Sequence, residues 1–316
     1  MNRAAAGTLL IIHTVLTLAL QLAARAQPEW LSWLTEGTLK GIVSRAVLMQ
    51  GGLILVPTLV IIFMDHMPAQ EIFGGRSRDG SLILATVIGV PAAVVFHGLN
   101  NLSVYFMVRL GWRLPWLDHQ DAYLTDLWQQ TWPVIGTLIV IRVLAPALIE
   151  ELMFRGVILS SLSSQIAPGL AIFWQAVAFA LFHNDPFFLV SPFLAGLLLG
   201  LLRTRGGSLL PSILAHASLN LTMLLLTPLL PRLTAQYLNL PTHSTQSIFY
   251  ASLIATFIAA VALIPLLALL GRLQTRLPAG AAASSSEHPS LLGGLLFALA
   301  LLLLLVTIGV TYYQAV

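Results

Sequence analysis

Residues 291–311 contain no charged side chain. Long apolar runs recur at about 9–22, 41–64, 81–108, 133–162, 169–183, 187–202, 209–230 and 248–270. Crossing a bilayer as a helix takes about 20 apolar residues. Inside lipid every backbone N–H and C=O must be satisfied within the protein, which leaves helices or closed barrels. Runs this long and this uniformly apolar predict an all-α fold, a polytopic transmembrane helix bundle of eight or nine spans. The ninth depends on residues 1–26, where the run at 9–22 is followed by Ala24-Arg25-Ala26. That ending resembles a signal-peptide cleavage site. We read the segment as a retained first helix, because further spans follow it.

Composition agrees and narrows the function classes. Hydrophobic residues make up 58% of the chain and charged residues 9%, against about 45–50% and 25% in soluble domains. With no cysteine, disulfides, thiolate catalysis and cysteine metal sites are excluded. The net charge of +3 comes from 14 arginines and one lysine. They are scattered through short loops, as topology signals are, and form no tract for nucleic acid. Their distribution favours a cytoplasmic N-terminus by a narrow margin. Six of the seven tryptophans, all but Trp174, flank the apolar runs, where aromatic anchors sit at the headgroup level. Asp118, Asp121 and Asp126 make residues 109–131 a polar loop, and the Ala/Ser/Pro-rich stretch 277–290 reads as a flexible linker.

The run at 133–162 is longer than a crossing needs and contains Ala145-Pro-Ala-Leu-Ile-Glu-Glu-Leu-Met-Phe-Arg-Gly156. An ionisable side chain at membrane depth costs roughly 2.5–3.5 kcal/mol on insertion scales and marks function by default. Pro146 removes a backbone N–H and crowds the carbonyl of Arg142, which predicts a kink one turn before the glutamates. Glu151 and Arg155 are i,i+4 with the acid first, the favourable order for a pair. Adjacent residues on a helix point about 100° apart, so this pairing leaves Glu150 free for chemistry.

Two further polar pieces interrupt later spans. Phe179 and His183 share one helix face, and so do His216 and Asn220. A carboxylate and a histidine can bind and deprotonate a water. A second histidine and an amide can donate hydrogen bonds to an oxyanion. The same glutamate and histidines could instead ligate Zn²⁺, with Glu150, His183 and His216 as the ligand set. Other polar groups have structural readings. His97, Asn100 and Asn101 read as helix packing, and His13 and His66 as interfacial residues. Arg142 is placed to reach the interface or pair with a carboxylate, and Asp185 to cap the helix after it with Pro186 at its first position.

Glu-Glu-x-x-x-Arg, Phe-x-x-x-His and His-x-x-x-Asn, in this order, resemble the signature of the CPBP intramembrane proteases. That family includes the type II CAAX prenyl endopeptidases and the Abi-type proteins. The flanks Ala145-Pro146 and Phe154-Arg155-Gly156 fit as well. The resemblance covers about 132–230 and implies a division into an N-terminal transmembrane region (1–131), a protease core (132–230) and a C-terminal transmembrane region (231–316). It implies that Glu150 activates water with help from His183, and that His216 and Asn220 stabilise the oxyanion. Glu151 and Arg155 would hold the first motif in shape, with Glu151 close to the chemistry, and Phe179 would support His183. The expected activity is endopeptidase cleavage of a membrane-associated protein or peptide, in the cytoplasmic (inner) membrane of a bacterium. The family includes metal-dependent and glutamate-type descriptions; the glutamate type is the expectation here, with Zn²⁺ the alternative. A catalytically silent scaffold or immunity-type protein of the same fold is the competing reading. A proton-coupled transporter is a third, but no pair of matching broken helices suggests an inverted repeat.

Overall fold

The computed structural model describes residues 4–35, 37–77, 80–112, 127–238, 245–272 and 290–315. Asp118, Asp121 and Asp126 and the linker 277–290, except Ser290, lie outside them. Every named element among the described residues is helical. The principal helices are α1 (Ala5–Ala26), α2 (Leu39–Met64), α3 (Ala69–Phe73), α4 (Ser81–Arg109) and α5 (Trp132–Ser163). They are followed by α6 (Pro168–Phe182), α7 (Val190–Gly206), α8 (Leu210–Leu238), α9 (Thr245–Arg272) and α10 (Leu291–Ala315). Six helices, α1, α2, α4, α5, α9 and α10, contain stretches long and apolar enough to cross a membrane. The remaining runs of the sequence form α6, α7 and α8, and the apolar helices at Pro168–Phe182 and Leu210–Leu226 are shorter.

The bundle is apolar on its outside and polar at its centre. Phe63, Phe257 and Leu291 are more than 70% exposed, whereas Glu151 and Arg155 have no exposed surface. A hydrocarbon solvent permits the first and forces the second. Lipid tails gain nothing from burying leucine, so helices associate through close packing of small residues and through interhelical hydrogen bonds. Both devices recur. A Cβ on Gly7 of α1 would stand 2.5 Å from the backbone of Leu296 and Phe297 in α10, and one on Gly196 of α7 would stand 2.8 Å from Ala176 of α6. Ser218 of α8 donates to the carbonyl of Thr86 in α4 at 2.8 Å, and Asn101 of α4 to Ser252 of α9 at 3.1 Å.

Helix α5 runs through this assembly. Met153, Phe154, Val157, Ile158 and Leu159 are fully buried in a core shared with α1, α2, α3, α6 and α10. Its hydrogen-bond ladder is irregular in two places. Val140–Leu144 and Leu152–Ile158 are π-helical and bracket the regular turns Ala145–Glu151. The kink expected at Pro146 takes this form. A π turn widens the helix just before the proline, where a regular turn would drive the ring into a carbonyl. The one other π stretch among the described residues is Val47–Leu55 of α2. There too a proline, Pro57, follows two residues after the stretch ends.

Two local expectations change, and a third holds. Asp185 does not cap a helix. Its Oδ1 accepts the N–H of Phe187 at 2.9 Å, and α7 begins only at Val190. A short side chain bonding the backbone two residues on makes a turn. His13 is not interfacial: it is 5% exposed, with Nδ1 3.1 Å from the carbonyl oxygen of Leu53 and its ring against Phe182. Close packing of α1 against α2 and α6 buries it. Asn100 does act in packing: it donates to the carbonyl of Phe187 at 3.1 Å, and its Oδ1 lies 3.5 Å from the N–H of Ser191.

Candidate active site

The three sequence pieces converge on one place. Glu150 and Glu151 end the regular turns of α5, His183 follows the last residue of α6, and His216 lies in α8. Arg155 Nη1 donates to Glu151 Oε1 at 2.6 Å, and both side chains are fully buried. The guanidinium is held by more than this charge. Nη2 donates to the carbonyl of Gly196 at 3.3 Å, and its carbon stands 4.5 Å from the centre of the Phe179 ring. Gln175 donates to the same Gly196 carbonyl at 2.7 Å. An uncompensated charge at this depth costs several kcal/mol. The pair, the carbonyl and the aromatic face together compensate it.

His216 lies between the two carboxylates. Its Nδ1 is 2.9 Å from Glu151 Oε1, and its Nε2 is 3.9 Å from Glu150 Oε2. Adjacent glutamates on a helix point about 100° apart, so they cannot face one neighbour equally. An imidazole can meet both, because its two nitrogens point in different directions. A carboxylate only accepts, so the contact to Glu151 places a proton on Nδ1 and turns Nε2 toward Glu150.

His183 is fixed in the same manner. Its Nδ1 is 2.7 Å from the carbonyl oxygen of Phe179, which can only accept, so in the neutral ring Nε2 is a free acceptor. Asn184, with φ +55°, turns the chain immediately after it, a conformation asparagine tolerates better than most residues. The ring of Phe179 meets His183 and His216 edge-on, with centroids 4.9 and 5.9 Å apart. It therefore packs against both imidazoles and not against His183 alone. Asn220 is half-buried one helical turn beyond His216 and makes no hydrogen bond with the described residues.

Burial grades across the site. Glu151 and Arg155 are sealed, Glu150 and His216 are 6% exposed, and His183 is exposed. The groups that hold shape lie deepest, and those with unused acceptors lie toward the opening. Glu150 Oε2 makes no hydrogen bond with the described residues. Glu150 Oε1 accepts from Gln50 Nε2 of α2 at 2.9 Å. Sequence reasoning missed Gln50 and Gln175. The available signal was the same as for the histidines, a polar side chain inside an apolar run.

Among the described residues no group of three histidine or carboxylate side chains is gathered around one point. Gln50, Glu151 and Phe179 each bond one atom of Glu150, His216 and His183, and leave Glu150 Oε2 and the two Nε2 atoms without a hydrogen bond among the described residues.

Residues 131–222 match the family model described as Rce1-like, type II CAAX prenyl endopeptidase Rce1-like. The match spans the three motif pieces and supports membership of the CPBP family. No curated protein and no solved structure matches the chain. The apolar helices and the family match together fit an integral membrane protein.

Proposed function

We propose that this protein is an intramembrane endopeptidase in which Glu150 activates water against a peptide bond of a membrane-associated protein or peptide. The observation that carries the reading is the unequal treatment of two adjacent glutamates. Glu151 is neutralised by Arg155 and bonded to His216, whereas Glu150 Oε2 makes no hydrogen bond among the described residues and stands 3.9 Å from His216 Nε2. A purely structural doublet gains nothing from leaving one carboxylate oxygen open in an apolar bundle.

The chemistry follows from the free atoms. A water at Glu150 Oε2 has His183 Nε2 as its second acceptor. Glu150 takes one proton, and the hydroxide oxygen bonds to the carbonyl carbon, whose C=O electrons move onto oxygen. His216 Nε2–H and Asn220 Nδ2–H are the donors to that oxyanion. As the proton moves, negative charge leaves Glu150 and appears on the substrate oxygen. The Nε2–H of His216 thus exchanges one anionic partner for another and stabilises the later state. Collapse of the intermediate breaks the C–N bond, and Glu150 returns its proton to the departing amine. The products are a carboxylic acid and an amine, with one water consumed.

The family description supports lipid-anchored peptides as the first substrates to assay. Purified protein in liposomes, with a membrane-anchored peptide in ¹⁸O-water, tests the reading. One heavy oxygen enters the new C-terminal carboxylate, and turnover survives a chelator. Absence of cleavage across anchored peptides sinks the hydrolase reading, and loss of turnover with stoichiometric zinc sinks the glutamate mechanism.

A further inference from the structure

We propose that Gln50, on a helix outside the matched residues 131–222, is a positioning residue that holds Glu150 in its reactive orientation. This inference rests on the hydrolase reading and deepens it. The contact from Gln50 Nε2 to Glu150 Oε1, at 2.9 Å, is the only hydrogen bond to the Glu150 carboxylate among the described residues. The terminal torsion of a glutamate is soft and roughly two-fold. With Oε1 pinned, Oε2 stays on the side of His216.

Two observations argue that the amide serves the glutamate rather than its own helix. Gln50 Oε1 is buried with no partner, so the residue carries a desolvation cost and makes one bond, to a carboxylate. Gln50 lies within the π stretch Val47–Leu55, and Glu150 lies between the two π stretches of α5. All the π turns among the described residues thus fall on the two helices that meet at this contact, and such turns are frequent at functional sites.

Gln50→Met keeps the side-chain length and removes the donor. In liposomes it lowers kcat roughly 10- to 100-fold, as misplacement of a reacting group does, while KM stays within about two-fold. A second readout does not depend on turnover. The infrared carboxyl band of Glu150, identified as the band lost in Glu150→Gln, moves in Gln50→Met. Unchanged kcat overturns the proposal. So does a stationary band, including one accompanied by activity loss that tracks loss of folded protein. If the wild type hydrolyses nothing, the hydrolase reading fails, and the band still decides whether Gln50 holds Glu150.

Discussion

Glu151 Oε1 accepts from both Arg155 Nη1, at 2.6 Å, and His216 Nδ1, at 2.9 Å. One oxygen of a fully buried carboxylate therefore joins α5 to α8 and fixes the imidazole that faces the second glutamate. Shape and chemistry at this site are linked through that atom.

Removing the arginine tests the structural half of this arrangement. Arg155→Met leaves Glu151 buried without its counter-charge, which costs about 3–5 kcal/mol. Thermal unfolding in detergent should show a large fall in Tm. Arg155→Lys should recover little, because an ammonium cannot reproduce the planar contact with Phe179 or both guanidinium hydrogen bonds.

Asn220 makes no hydrogen bond with the described residues, so its loss should leave the fold intact. Asn220→Ala should lower kcat by about 100- to 1000-fold, as removal of an oxyanion donor does. Tm and KM should remain near wild type. A fall in Tm matching the fall in activity would assign Asn220 to packing instead.

The loop after His183 is tied to both ends of the chain. Thr311 of α10 accepts from Asn184 Nδ2 at 2.8 Å and from Gln21 Nε2 of α1 at 3.1 Å. Thr311→Val removes both bonds, each worth about 1 kcal/mol net. Hydrogen exchange at residues 183–185 should accelerate and turnover fall several-fold. Unchanged exchange would show that the loop is held elsewhere.

Pro146 follows the π stretch Val140–Leu144 and precedes Glu150 by about one turn. Pro146→Ala restores an N–H and permits a regular helix, which rotates the following residues relative to α2 and α8. Activity should drop while insertion is normal. Full activity would show that the π stretch does not need the proline.

The site was largely legible in the sequence because lipid makes polarity conspicuous. Glu150, Glu151, Arg155, His183, His216 and Asn220 stand out for the cost of placing them in apolar runs, and i,i+4 spacing paired Glu151 with Arg155. Other features depend on tertiary contacts that spacing cannot show. Gln50 meets Glu150 across 100 residues. A lone amide in an apolar span looks like packing until the opposite helix is known. The burial of His13 depends on α2 and α6 closing over α1. The reach of His216 to both glutamates depends on how α8 approaches α5, whereas helical periodicity describes one helix at a time.

The most direct test of the central claim is single-turnover hydrolysis of a membrane-anchored peptide by Glu150→Gln, beside wild type at equal inserted and folded amounts. The amide keeps the shape of the side chain but cannot take a proton from water. The account predicts normal insertion, an unchanged Tm and cleavage reduced at least about 1000-fold. Cleavage at the wild-type rate would contradict it.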